Sequence, residues 1–209
     1  MKKSEIVQQY LKKIIPAPDC ELHFKDNFQL LVAVILSAQC TDKRVNQVTD
    51  ELFKKYKTPQ DFIDLGQEGL EKEIKSCGFY HNKAKNIIAC SKKLIENYNG
   101  VVPDNFEDLT SLAGVGRKTA NVVLSVAFDV PAIAVDTHVF RVSNRIGLVE
   151  ANTPEKVEEG LKKQFDPKDW KDMHHSLVLF GRYYCKAISP RCAECELKGI
   201  CKYYNNKVK

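Results

Sequence analysis

Apolar residues recur at spacings of three and four along nearly all of this 209-residue chain, and no segment alternates polar and apolar positions with β-branched enrichment. Such a chain folds as helices packed on helices. Ile6, Val7, Tyr10, Leu11 and Ile14 mark a first amphipathic helix among Lys2, Lys3, Lys12 and Lys13. Residues 28–38 are apolar on almost every face, the pattern of a helix enclosed on all sides. Thr58-Pro59 and Thr153-Pro154 each read as an N-cap followed by proline in the first turn. Asp104 with Glu107 resembles a capping box. The expectation is an all-α fold of about ten helices.

Pro16-Ala17-Pro18 and Asp129-Val130-Pro131 interrupt the chain and suggest soft boundaries. The longest apolar run, residues 30–36, is too short to span a bilayer, and the N-terminal segment lacks the apolar block of a signal sequence. A formal net charge of +5 is compatible with a polyanionic partner without requiring one. The expected compartment is cytoplasmic, where thiols stay reduced, so the eight cysteines argue for metal binding before disulfides.

The string L-A-G-V-G-R-K-T-A at residues 112–120 lies between two expected helices. Gly114 and Gly116 can take positive φ or let a phosphate approach the backbone. The N–H groups opening the next helix then point outward, and its dipole favours an anion. Arg117 and Lys118 add charge. A tight helix–helix turn is the competing reading. A nucleotide-binding P-loop is excluded, because its lysine directly follows the second glycine and its glycines stand further apart. The whole string resembles the helix-hairpin-helix motif of proteins that bind DNA without reading its sequence.

Lys118 falls in the first turn of the second hairpin helix, where the dipole repels a cation and so favours the neutral amine. A neutral amine is a nucleophile: it can attack the sugar C1′ of a nucleotide, expel the base and form a Schiff base. A solvated lysine on a phosphate is the plainer alternative. Asp136 follows the apolar run A-I-A-V and precedes T-H-V-F-R, where a helix begins. Aspartate is a favoured N-cap. A carboxylate there can also stabilise positive charge developing on a sugar, or assist proton transfer.

Cys185, Cys192, Cys195 and Cys201 are spaced C-x6-C-x2-C-x5-C, four thiols within seventeen residues. Zinc and an iron–sulfur cluster both suit four thiolates, although zinc ribbons usually carry two C-x2-C knuckles and this tail carries one. Cys20, Cys40, Cys77 and Cys90 are scattered and read as core residues or incidental thiols.

L-A-G-V-G-R-K-T-A-N-V-V followed by A-V-D-T-H-V-F-R-V resembles the endonuclease III family, bifunctional DNA glycosylase/AP lyases of base-excision repair, and the likeness runs from the first helix to the last cysteine. The resemblance implies a two-lobed helix-hairpin-helix glycosylase fold. Residues 20–130 would form a six-helix barrel domain with the hairpin at about 104–127, and residues 1–19 with 131–209 an iron–sulfur cluster domain. It implies Lys118 as nucleophile, Asp136 as essential carboxylate, and Cys185, Cys192, Cys195 and Cys201 as ligands of a [4Fe–4S] cluster. Gly114, Gly116, Arg117 and Thr119 of the hairpin would contact DNA. So would Lys186 and Arg191, in the loop between the first two cysteines. Gln39 in S-A-Q and Phe79 before Y-x-x-K-A would fill the gap left by an extruded base, Phe79 standing where the family often has leucine. Asp42 and His138 are candidate pocket residues beside these motifs. The implied partner is double-stranded DNA containing damaged pyrimidines or AP sites. The implied enzyme is a monomer, cytoplasmic and nucleoid-associated, and not bound to membrane. Sister glycosylase branches lack lysine at this hairpin position. A non-catalytic DNA-binding module would leave the pairing of Lys118 with Asp136 unexplained.

Overall fold

Eleven α-helices and two 3-10 turns carry the regular structure of residues 1–207, the part of the chain that this computed structural model describes. In order they are α1 (Lys3–Ile14), α2 (Asn27–Ser37), α3 (Asp42–Lys55), α4 (Pro59–Glu73), α5 (Tyr80–Tyr98), α6 (Phe106–Thr110), α7 (Arg117–Ala127), α8 (Thr137–Ile146), α9 (Pro154–Gln164), α10 (Trp170–Tyr183) and α11 (Lys202–Lys207). The 3-10 turns are Pro167–Asp169 and Glu196–Gly199. Local chemistry starts the helices. Asp26, Thr41, Thr58 and Thr153 each accept a backbone N–H of the first turn, and Pro59 and Pro154 follow their threonines as the spacing implied. The capping pair Asp104 and Glu107 does not form. Asn105 caps α6 instead, accepting from Asp108 N at 2.9 Å. Asn and Asp cap equally well, and Leu109 of the same helix is fully buried. No helix among the described residues is long and apolar enough to cross a membrane.

The chain divides into two compact units, one from Glu21 to Val130 and one joining Met1–Cys20 to the chain from Pro131 onward. In the first, α2 packs against α3, α5 and α7, which explains its apolar circumference: Phe28 through Leu36 are all buried. α4 bends at Gly66, where φ is 70°.

In the second unit, Val7, Leu11, Ile133, Val139, Val142, Leu161, Leu177 and Phe180 form the core. α10 packs on α1 and α8. The α8 crossing is close at Gly181, where an added Cβ would lie 2.8 Å from the Cβ of His138. His175 is buried in α10 with no hydrogen-bond partner for Nε2 among the described residues, and burial pushes its pKa below the ordinary histidine value. The unfolded chain therefore binds the proton first as pH falls below about 6.5, so stability present above that pH is lost toward the folded pKa. The melting temperature should drop between pH 7.5 and pH 5.5, and less so in His175→Gln. An equal drop in the variant would assign the effect to other groups.

Candidate functional site

The hairpin is built by α6, the turn at residues 111–116, and α7. Leu112 and Val115 anchor the turn from inside, and α5 braces it, with Lys93 Nζ donating to Ser111 O at 2.8 Å and Tyr98 to Asp108 at 2.9 Å. The two glycines do different work. Gly114 has φ +79°, and an added Cβ would also meet Asn86 Cβ at 2.9 Å. Gly116 is the extended N-cap of α7, with φ −91°. It offers no side-chain cap, and an added Cβ would meet nothing within 4 Å. Its glycine thus serves access and not conformation, in contrast to the positive φ considered for it. Arg117 sits 5.6 Å from the centre of the Phe106 ring, tying the two hairpin helices at the turn. Gly114→Ala should lose roughly 1–3 kcal/mol of stability, read as a lower melting temperature. Gly116→Ala should leave melting nearly unchanged and weaken DNA binding.

Lys118 is exposed in the second position of α7, and Thr119 beside it is half-buried. Asp136 belongs to the other unit. The buried run Ala132, Ile133, Ala134 and Val135 delivers it to the N-cap of α8. Its Oδ1 accepts from His138 N at 2.9 Å and from Val139 N at 2.8 Å, so both capping bonds fall on one oxygen.

One turn along α8, Arg141 donates through Nη2 to His138 Nδ1 at 3.1 Å and to Gly181 O at 2.7 Å, and through Nε to Cys185 O at 3.2 Å. Because a guanidinium only donates, Nδ1 accepts and the neutral ring carries its proton on Nε2. Burial lowers the His138 pKa and favours that neutral form. One further turn on, Arg145 donates to Lys186 O at 2.6 Å and Ala187 O at 3.0 Å. Its guanidinium lies 4.3 Å from the Tyr203 ring centre. Sequence reading assigned neither arginine a role. The available signal was their spacing of four, which puts both on one helix face.

The four tail cysteines line one cavity of about 170 Å³, together with Tyr10, Phe180, Tyr184 and Tyr203. Burial pushes the Cys185 and Cys195 thiols up. Arg145 Nη1 approaches Cys185 Sγ at 3.7 Å, and Cys201 Sγ donates to Arg145 O at 3.3 Å. Among the described residues no three His, Cys, Asp or Glu side chains converge as a single-ion site. Lys186 is exposed on the loop, and Arg191, also exposed, lines the cavity with its guanidinium over the Tyr184 ring at 5.8 Å.

Gln39 and Phe79 stand in neighbouring segments of the first unit, where a Cβ at Gly78 would lie 3.6 Å from Gln39 O. Both have positive φ, 52° and 57°, and Phe79 is 65% exposed. A left-handed, exposed phenylalanine costs on the order of 1–3 kcal/mol, strain that clusters at functional sites. Asp42 opens α3 close by in sequence and is half-buried.

Residues 32–167 match the HhH-GPD superfamily base excision DNA repair protein family. The chain is 52% identical over 203 residues to endonuclease III of Bacillus subtilis, covering 97% of this chain and 93% of that one. To endonuclease III of Escherichia coli it is 46% identical, covering 97% and 95%. A solved structure of a trapped endonuclease III–DNA covalent intermediate matches with a TM-score of 0.95 at 48% identity, covering all of both chains. A thermostable thymine-DNA glycosylase matches with a TM-score of 0.88 at 25% identity, covering 98% of this chain and 97% of that one. Helical architecture, an open glycine hairpin bearing a lysine, a capping aspartate and full-length likeness converge: this chain belongs to the endonuclease III family of bifunctional DNA glycosylase/AP lyases, within the HhH-GPD superfamily of base excision repair proteins.

Proposed function

We propose that this chain excises oxidised pyrimidines from duplex DNA and then cleaves the abasic strand, with Lys118 as nucleophile and Asp136 as the charge-stabilising carboxylate. The observation that carries this reading is an exposed lysine in the first turn of a helix whose glycine N-cap is open to solvent. The hairpin start, with Gly114, Gly116, Arg117 and Thr119, holds a phosphate by N–H groups and charge. A duplex hides its bases, so the nucleotide must be extruded. Gln39 and Phe79 occupy the space it leaves, and the family resemblance supports Asp42 and His138 as residues that meet the extruded nucleotide. Lys118 Nζ attacks C1′, the glycosidic bond breaks, and the base departs with a proton. Asp136 Oδ2 offsets the positive charge that grows on the sugar. The resulting imine withdraws electrons from C2′, whose proton is lost as the 3′ phosphate leaves in β-elimination. A protein similar to this one over its whole length has been trapped as a covalent intermediate with DNA.

The four-cysteine cavity fits a [4Fe–4S] cluster. It is wide, its donors are all thiols, and two of those thiols are costly to ionise without a bound cation. Cys185, Cys192, Cys195 and Cys201 would hold it, and when bound it would supply rigidity to the loop that presents Lys186 and Arg191. The test combines two measurements. Anaerobically purified protein should be brown and contain iron and sulfide in equal amounts. With thymine-glycol duplex and borohydride it should give a covalent adduct. Zinc without iron would overturn the cluster. Neither adduct nor cleavage on any oxidised pyrimidine or abasic site would leave a DNA-binding module.

A further inference from the structure

Two thiols outside the tail lie together. Cys40 follows the last turn of α2, its N–H donating to Ser37 O at 3.1 Å, and Cys77 follows α4, its N–H donating to Ile74 O at 2.8 Å. They are far apart in sequence, yet their segments touch: a Cβ on Gly78, next to Cys77, would lie 3.6 Å from the main-chain oxygen of Gln39, next to Cys40, and the two thiols act on each other electrostatically. Lys83 of α5, itself only 5% exposed, reaches into the same corner. It donates to Leu36 O at 2.8 Å and acts electrostatically on both sulfurs. Cys77 is 1% exposed, whereas Cys40 is half-buried. Neither is a tail cysteine, and neither has a part in the chemistry above.

We propose that Cys40 and Cys77 form a peroxide-sensitive thiol pair that closes to an intramolecular disulfide and ties the Gln39 segment to the Phe79 segment. Cys40 meets the oxidant because it is the accessible sulfur. Burial pushes Cys77 up to about 11, which keeps it protonated at neutral pH. The Cys40 thiolate attacks one oxygen of hydrogen peroxide, giving the sulfenic acid and hydroxide. The Cys77 thiol then attacks the sulfenic sulfur, the S–S bond forms, and water leaves. In sum, two thiols lose two electrons and two protons, and one peroxide becomes two waters. A dithiol reductant reverses the change by exchange.

Closure has a mechanical consequence. An S–S bond of about 2.05 Å is far shorter than any non-bonded S···S contact, so the two segments must draw together. Gln39 directly precedes Cys40 on one side of the joint, and Phe79 lies two residues beyond Cys77 on the other. Both already hold strained positive φ. Disulfide formation stands apart from the proposed function. The loss of activity that follows from it rests on the gap-filling roles of Gln39 and Phe79.

The full holoprotein should be treated with hydrogen peroxide, its free thiols alkylated, and its peptides mapped without reduction. A peptide pair joined through Cys40 and Cys77, two hydrogens lighter and released by dithiothreitol, is the expected result. Cleavage of an abasic duplex should fall at least about tenfold, since small displacements near a reacting centre cost that much. Dithiothreitol should restore it. Cys40→Ser and Cys77→Ala should each abolish the linked peptide and the reversible component of the loss. Cluster damage by peroxide is not reversed by dithiothreitol, and iron content follows it independently. Cys40 and Cys77 recovered as separate oxidised or alkylated peptides would overturn the pair. A linked peptide with undiminished cleavage would overturn the link to activity while leaving the proposed glycosylase intact. If Cys77→Ala unfolds, Cys40→Ser still decides both points.

Discussion

Replacing Lys118 by alanine is expected to eliminate borohydride trapping and to lower strand cleavage at a thymine-glycol site by at least about 10³-fold, some 4 kcal/mol of barrier. The fold should not suffer, because Lys118 is exposed and its side chain makes no core contact. Alanine is also a better helix former. Melting temperature should therefore stay within a degree or two, and only a modest loss of affinity for undamaged duplex should accompany the loss of one positive charge. An adduct that persists in Lys118→Ala would move the nucleophile elsewhere in the chain. Loss of binding in proportion to loss of cleavage would make the lysine a phosphate contact and nothing more.

Asp136→Asn separates two jobs that the aspartate holds at once. Asn and Asp are comparable N-caps, so the bonds from His138 N and Val139 N survive on the amide oxygen. What disappears is the negative charge at the position of Oδ2. Base release should fall by roughly 10²–10⁴-fold with melting nearly unchanged. Asp136→Ala should show the same catalytic loss and, in addition, about 1 kcal/mol of destabilisation from the missing cap. Activity retained in Asp136→Asn, with destabilisation confined to Asp136→Ala, would reduce Asp136 to a cap.

Much of this molecule could be read from its sequence, for reasons that are local. The all-round apolar α2, the threonine-proline helix starts and the aspartate at the head of α8 are set by neighbours within a turn, and the structure contains each of them. The choice between Asp104 and Asn105 as cap was not legible, because the two residue types cap equally well. The separate purposes of Gly114 and Gly116 also lay beyond the sequence. One depends on the approach of Asn86 from α5, the other on empty space. Arg141 and Arg145 looked like ordinary charges on an amphipathic helix, and only the packing of α10 and the tail loop gives them carbonyls to hold. The contact of Cys40 with Cys77 follows from the meeting of two helix ends, which no spacing in the chain announces.

The manner in which Arg141 and Arg145 hold the tail loop bears on how that loop can diversify. Their donors go to the main-chain oxygens of Cys185, Lys186 and Ala187, atoms that every amino acid supplies alike. The side chains at 186 and 188 are exposed, Ile188 to 84%. Descendants of this chain can therefore redraw the outer surface of the loop, residue by residue, while the support beneath it stays constant.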